Sequence, residues 1–188
     1  MRTGITGGIG SGKSFVCRLL AAQGISVYDC DSHAKRLMVE SAEIRRRLSD
    51  LIGPETYVCV EGAFALNKAV IARFLLSSPD NAHAIEAIVH PAVIDDYLRS
   101  GIEWVESAIL FESGLNRFVD RVVAVVAPEE VRIARIMERD SISREKALEW
   151  IGRQLPQDEL TSQADHVIVN DGLQPLLPQI RPLLNICT

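Results

Sequence analysis

The 188-residue sequence is short of several things, and each shortage narrows what it can be. No apolar run approaches the ~18 residues of a membrane-spanning helix, and Met1-Arg2-Thr3-Gly4 lacks the apolar stretch of a signal peptide. These absences predict a soluble, cytoplasmic protein with no membrane partner. Positive charge is in deficit: 20 Lys and Arg stand against 25 Asp and Glu, a net charge of −5. That balance argues against a general nucleic-acid surface, so any anion must be held by local geometry. The four cysteines, Cys17, Cys30, Cys59 and Cys187, form no C-x-x-C pair and no cluster of zinc spacing, and read as reduced structural thiols. His33, His83, His90 and His166 are equally scattered. There is no repeat, low-complexity tract or linker, and the length suits one domain or one domain with an insertion.

What is present is an alternation of short apolar runs with helical segments, which predicts an α/β protein with a mostly parallel sheet covered by helices on both faces. The candidate strands are 2–6, 26–29, 105–111, 121–127 and 166–169. The β-branched run Val122-Val123-Ala124-Val125-Val126 is the clearest of them and is expected at the centre of the sheet. Helices are predicted at 13–23, closed by Gly24, from Pro128 to about residue 139, and from a Ser143 cap to about residue 153, before Pro156. Between residues 31 and 101 strand alternation lapses and helical periodicity takes over, with breaks at Gly53-Pro54, near Pro79 and near Pro91. This segment reads as a helical insertion into a core made of 1–30 and 102–188. The tail 173–188 has helical apolar spacing interrupted by Pro175, Pro178 and Pro182.

Gly7-Gly8-Ile9-Gly10-Ser11-Gly12-Lys13-Ser14 matches G-x-x-x-x-G-K-[ST] between a strand and a helix, where a phosphate-binding P-loop must lie. Glycines let successive N–H groups approach the phosphates, and the helix N-terminus adds a positive dipole end. Lys13 is expected to reach the β- and γ-phosphates and the Ser14 hydroxyl to ligate Mg²⁺; the bland alternative is a glycine-rich turn. The motif alone does not separate kinase, GTPase, motor and switch. No N-K-x-D follows, since Asn67-Lys68 continues as Ala69-Val70, and the length best suits a small-molecule kinase. Asp29-Cys30-Asp31 ends the second strand at the expected ligand edge. One aspartate there caps the next helix or faces the site, and Asp31 is the favoured one for chemistry. Arg132, Arg135, Arg139, Arg144 and Arg153 crowd the region after the fourth strand. They either neutralise charge in phosphoryl transfer or pair with Glu129, Glu130, Glu138, Asp140, Glu145 and Glu149 on a solvated face, with Arg139 and Arg144 the better site candidates.

Taken together these segments resemble the dephospho-coenzyme A kinase family over nearly the whole chain. The resemblance rests on the double-glycine P-loop Thr6 to Ser14, on Asp29-Cys30-Asp31 for D-A-D, and on His90-Pro91 for H-P. It continues in Ala108 to Glu112 for P-L-L-F-E, Arg139, Arg144 and Gln154, and Ala164 to Gly172 for the late A-D-x-V-I-x-N-x-G.

The resemblance implies transfer of a phosphoryl group from ATP, with Mg²⁺, to the ribose 3′-hydroxyl of dephospho-coenzyme A, the last step of coenzyme A synthesis. It implies a P-loop NTPase-type five-stranded parallel sheet, an inserted helical acceptor domain at 31–101 and a lid at about 139–156. By carry-over, Lys13, Asp31 and Arg139 are the catalytic residues, with Asp31 the base. Gly8, Gly10, Ser11, Gly12, Lys13, Ser14, Phe15, Arg144, Asn170 and Gly172 hold the nucleotide, the last two near adenine. Asp31, His90 and Glu112 hold the acceptor, and His90-Pro91 is alternatively a break between helices. Four positions depart from the pattern: Phe15, expected to crowd the α-phosphate side, Ala108, Trp150 and Leu160-Thr161, the last two removing positive charge from the lid side. A P-loop kinase for another small hydroxyl or nucleotide acceptor, or a nucleotide-binding regulator with little turnover, are the alternatives. A monomer or small homo-oligomer is expected.

Overall fold

A computed structural model describes residues 1–184; the last four residues of the predicted tail helix, and Cys187 with them, lie outside the described residues. Elements are numbered in chain order. The first part runs β1 (Thr3–Thr6), α1 (Lys13–Ala22) and β2 (Val27–Asp29). There follow α2 (Cys30–Glu40), α3 (Ala42–Ile52), β3 (Tyr57–Val60), β4 (Ala63–Leu66), α4 (Lys68–Ser77) and α5 (Asp80–Ser100). The rest is β5 (Trp104–Glu106), β6 (Arg121–Val126), α6 (Glu129–Asp140), α7 (Arg144–Gly152), α8 (Gln157–Ser162), β7 (His166–Val169) and α9 (Leu176–Leu184). The chain divides into two compact units, one of Met1–Asp29 with Ile102 onward and one of Cys30–Gly101.

In the first unit five strands form a parallel sheet in the order β2-β5-β1-β6-β7. The middle place belongs to β1, not to the valine-rich β6 that hydrophobicity nominated. Both strands are buried throughout, but β1 is only Thr-Gly-Ile-Thr and its glycine mutes the signal. One face of the sheet packs Ile5, Val123, Val125 and Ile168 with Val16 and Leu20 of α1 and Ile180 and Leu183 of α9. On the other side Ala124 and Val126 meet Leu160, while Ile133 and Ile136 of α6 meet Ala147 of α7. The edge strand β7 is blunted by Gln179, whose side-chain amide takes the Val169 N–H at 2.8 Å and donates to the Val169 carbonyl at 3.0 Å.

One expectation for this unit needs correction. The strand predicted over 105–111 ends at Glu106, after which the chain turns. The apolar run is instead satisfied by Leu110, fully buried, whose methyl carbons lie 3.1 Å from where a side chain on Gly4 would begin. The tail helix forms despite its prolines: Pro178 sits in the first turn, where its missing N–H costs nothing, and only Pro182 is interior. Trp150 and Leu160, which stand where the resemblance expects positive charge, are packed: Trp150 lies on the Ile133 cluster and Leu160 is 4% exposed.

The second unit is mainly helical, with Ile44, Leu48 and Ile88 at its core against Leu37, Tyr57 and Ile85. It also contains an antiparallel hairpin, β3 with β4, that helical periodicity did not reveal. Its two-residue turn, Glu61-Gly62, has both φ angles positive, as hairpin twist demands. The break expected at Gly53-Pro54 occurs, but the one at Pro91 does not: α5 runs through it without interruption. Pro91 and Ala87, whose carbonyl loses its i+4 donor, both lie on the exposed face, so water can take the carbonyl. His90-Pro91 is therefore not a junction between helices. No described helix is long and apolar enough to cross a membrane.

Candidate active site

Because all five strands run parallel, their C-terminal ends share one edge of the sheet, and β1 delivers the P-loop to the middle of it. The loop enters α1 through Gly12, a left-handed N-cap with no side-chain hydrogen bond, so no capping side chain stands between the positive end of α1 and a ligand. Close packing around the loop crowds a Cβ at all four of its glycines, most tightly at Gly7 and Gly12. A Cβ on Gly7 would overlap the Val125 carbonyl, and one on Gly12 would overlap the Asn170 side-chain amide.

The outward-facing polar groups of the loop are held by side chains from distant parts of the unit. The Ile9 N–H donates to Gln154 Oε1 at 2.6 Å, and the Ile9 carbonyl accepts from Arg132 Nε at 2.9 Å. Arg135 Nη1 donates to the carbonyls of Gly10 and Ser11, each at 3.3 Å. Asn170, buried just past β7, donates Nδ2 to the Ser11 carbonyl at 2.8 Å and accepts from Arg135 Nη2 at 3.4 Å. Lys13 Nζ donates to the Gly7 carbonyl at 2.7 Å and lies 3.8 Å from Glu106 Oε1. Glu106 in turn is the register partner of Asp29, so two carboxylates end adjacent strands at this edge.

Arg132 and Arg135 have no ion-pair partner within 4.0 Å among the described residues. Burial pulls the Arg132 guanidinium below its ordinary pKa, with Glu129 opposing, yet an arginine stays charged. Lys13, Arg132 and Arg135 thus gather positive charge around the loop, the local anion site that a chain of net charge −5 requires. Cys17, one turn into α1, is inert: burial first, and then Glu106, push its thiol up to about 12.

The remaining sequence candidates are distributed as follows. Ser14 and Phe15 are exposed at the start of α1, and the Phe15 ring faces outward under the Arg18 guanidinium at 5.4 Å. Arg139, 60% exposed, pairs with Asp140, and Arg144 makes a two-pronged pair with Glu130 at 2.6 and 2.7 Å. That pairing holds Glu130 below the usual carboxylate range and lifts Arg144. Glu112 is exposed in the turn after β5, and Gly172 lies in a turn that Asp171 closes by accepting from the Leu173 and Gln174 amides, both at 2.9 Å. Asp31, in the first turn of α2, and His90, inside α5, belong to the second unit. Sequence reasoning passed over Glu106 and ranked Arg132 and Arg135 below Arg139 and Arg144. The one available signal was the i, i+3 spacing of the two arginines beside Ile133 and Ile136, the buried stripe of α6.

A parallel sheet of this order with a P-loop on its middle strand and a cationic cage around the loop defines a P-loop kinase. Solved structures agree on the fold, including a shikimate kinase from Acinetobacter baumannii (TM-score 0.56, 14% identity, covering 99% of this chain and 92% of that one). A Thermus thermophilus protein is closer, with TM-score 0.79 and 33% identity over 100% of this chain and 98% of that one. The dephospho-CoA kinase family model matches residues 1–175. A dephospho-CoA kinase of Bacteroides fragilis is 39% identical over 98% of this chain and 91% of its own, and one of Chlorobaculum tepidum 37% over 90% and 86%. The chain belongs to the dephospho-CoA kinase family.

Proposed function

We propose that the chain transfers the γ-phosphoryl group of ATP to the ribose 3′-hydroxyl of dephospho-coenzyme A, in the cytoplasm. The observation that carries this reading is the P-loop with its uncapped α1 N-terminus and its cage of Lys13, Arg132 and Arg135, in a chain of this family. Lys13 draws charge off the phosphate oxygens as the bond to the leaving ADP breaks, and the loop amides hold the triphosphate in line. Residues 1–30 and 102–188 act as the nucleotide-binding core, 31–101 as the acceptor-binding region and about 139–156 as the lid. Asp31 accepts the proton of the attacking hydroxyl, while His90 and Glu112 orient the acceptor. Arg139 and Arg144 leave Asp140 and Glu130 to meet the triphosphate, and Asn170 and Gly172 border the adenine.

The donor set suits Mg²⁺. No group of three or more His, Cys, Asp or Glu among the described residues is built to hold a metal by itself, and Mg²⁺ typically takes one or two protein oxygens with phosphates and waters. The exposed Ser14 hydroxyl would hold the ion directly, and Asp29 and Glu106, side by side at the ends of β2 and β5, would accept from its waters. When bound, the ion would supply positive charge against the phosphates of ATP.

The test is ADP release by the purified protein with ATP and Mg²⁺, with and without dephospho-coenzyme A, beside adenosine, AMP and shikimate. Release should rise only with dephospho-coenzyme A and yield a 3′-phosphorylated product; stimulation by another acceptor, or by none, refutes the assignment. Asp31→Asn separates base from bystander: near wild-type turnover in this variant, with Lys13→Ala inactive, removes Asp31 from proton transfer.

A further inference from the structure

We infer that Arg132 is a positioning residue for phosphoryl transfer: it holds the tip of the P-loop through the Ile9 carbonyl, and Gly8 is a glycine because that guanidinium occupies the space beside it. Arg132 lies on α6, more than 120 residues along the chain from the loop, yet it is 6% exposed and donates Nε to Ile9 O at 2.9 Å. Its guanidinium carbon lies 2.9 Å from the point where a Cβ on Gly8 would stand, and Nη2 lies nearer still. Gly8 has no left-handed backbone angle, so its own conformation does not demand glycine. Arg132 does.

The geometry has a mechanical meaning. Ile9 is gripped from both sides, its N–H by Gln154 and its carbonyl by Arg132. One hydrogen bond holds the peptide unit before Ile9 and the other the unit after it, so both are restrained and the neighbouring amides are ordered before the triphosphate arrives. Such prior ordering removes reorganisation from the reaction step. A buried cation with no carboxylate in contact is costly as a mere structural pin; beside a loop that receives polyphosphate, its charge is matched when nucleotide binds.

The inference rests on the kinase reading above, and the experiment keeps the two apart. Wild type, Arg132→Ala, Arg132→Lys, Gly8→Ala and the double variant Gly8→Ala/Arg132→Ala are compared in thermal melting, in titration with a fluorescent ATP analogue, and in kcat and KM for both substrates. Losing a charge-assisted hydrogen bond at the loop should weaken analogue binding by about tenfold to a hundredfold in Arg132→Ala. The KM for ATP should rise and kcat should fall, while the KM for dephospho-coenzyme A stays within about twofold. Simple structural damage lowers the active fraction and moves neither KM. Arg132→Lys should recover part of the loss, since an ammonium can reach the same carbonyl.

Gly8→Ala should reproduce the Arg132→Ala phenotype by displacing the guanidinium, and the double variant should be no worse than Arg132→Ala alone. Wild-type analogue affinity in Arg132→Ala, or losses that multiply in the double variant, overturns the inference. Should Arg132→Ala fail to fold, Gly8→Ala decides, and normal analogue binding there overturns it. Should wild type show no turnover with dephospho-coenzyme A, the kinase reading fails, while the titrations still decide the role of Arg132.

Discussion

Asn170 offers the sharpest test of whether the P-loop is held from behind. Its Nδ2 donates to the Ser11 carbonyl at 2.8 Å in a buried setting, and its Oδ1 accepts from Arg135 Nη2 at 3.4 Å. Replacing it by alanine leaves the Ser11 carbonyl with only the longer Arg135 contact at 3.3 Å. An under-satisfied buried acceptor costs about 1–3 kcal/mol, and removing the side chain also opens a small void. For a chain of this size each 1 kcal/mol lowers Tm by about 2–4 °C, so Asn170→Ala should melt about 2–12 °C below wild type. The KM for ATP should rise as the loop loosens. Asn170→Asp should weaken ATP more than Asn170→Ala, because it puts a carboxylate oxygen against the Ser11 carbonyl and a negative charge beside the phosphate site, even though it gains an ion pair with Arg135. The assays are differential scanning calorimetry and initial rates with ATP and GTP. If Asn170→Ala melts like wild type and changes only the preference between ATP and GTP, the residue acts on the base alone and the support of the loop through Ser11 is refuted.

Three further outcomes follow from the same structure. Leu110→Ala should destabilise by about 2–5 kcal/mol, since Leu110 is fully buried against Gly4 and β1; chemical denaturation measures it, and a loss under 1 kcal/mol would mean the turn collapses to fill the space. Asp171 is held below the ordinary carboxylate range by the Gln174 and then the Leu173 amides. Its contribution is therefore present above the unfolded carboxylate pKa and lost as pH falls through the depressed one, so the drop in Tm between pH 5 and 3 should be smaller in Asp171→Ala than in wild type. With its thiol raised to about 12, Cys17 should carry about one part in ten thousand thiolate at pH 8, and exposed Cys59 should be alkylated well before it in native protein; equal rates, read by peptide mass mapping, would contradict the burial.

Much of this protein is determined locally and is legible in the order of its residues. The P-loop is contiguous, and its glycines, Lys13 and Ser14 declare phosphate chemistry by spacing alone. The strands and helices of the first unit likewise follow from apolar period and caps such as Ser143, whose hydroxyl takes the Lys146 N–H. The second unit was less legible. Its hairpin hides in Tyr57-Val58-Cys59-Val60, four residues too short to establish a period of two, and α5 crosses Pro91 because the lost hydrogen bond faces water, a matter of burial rather than propensity. Sheet order was illegible too: Thr-Gly-Ile-Thr carries a weaker hydrophobic signal than Arg121 to Val126, yet topology sets it in the middle. What only the tertiary structure decided is which of five similar arginines serve the loop. Each has acidic neighbours along the sequence, so local pairing could claim any of them. Packing of Ile133 and Ile136 turns α6 so that Arg132 and Arg135 point at the carbonyls of Ile9, Gly10 and Ser11, while Arg139 and Arg144 are left to Asp140 and Glu130. A long-range hydrogen bond has no sequence period, and so it is the part of the site that folding alone creates.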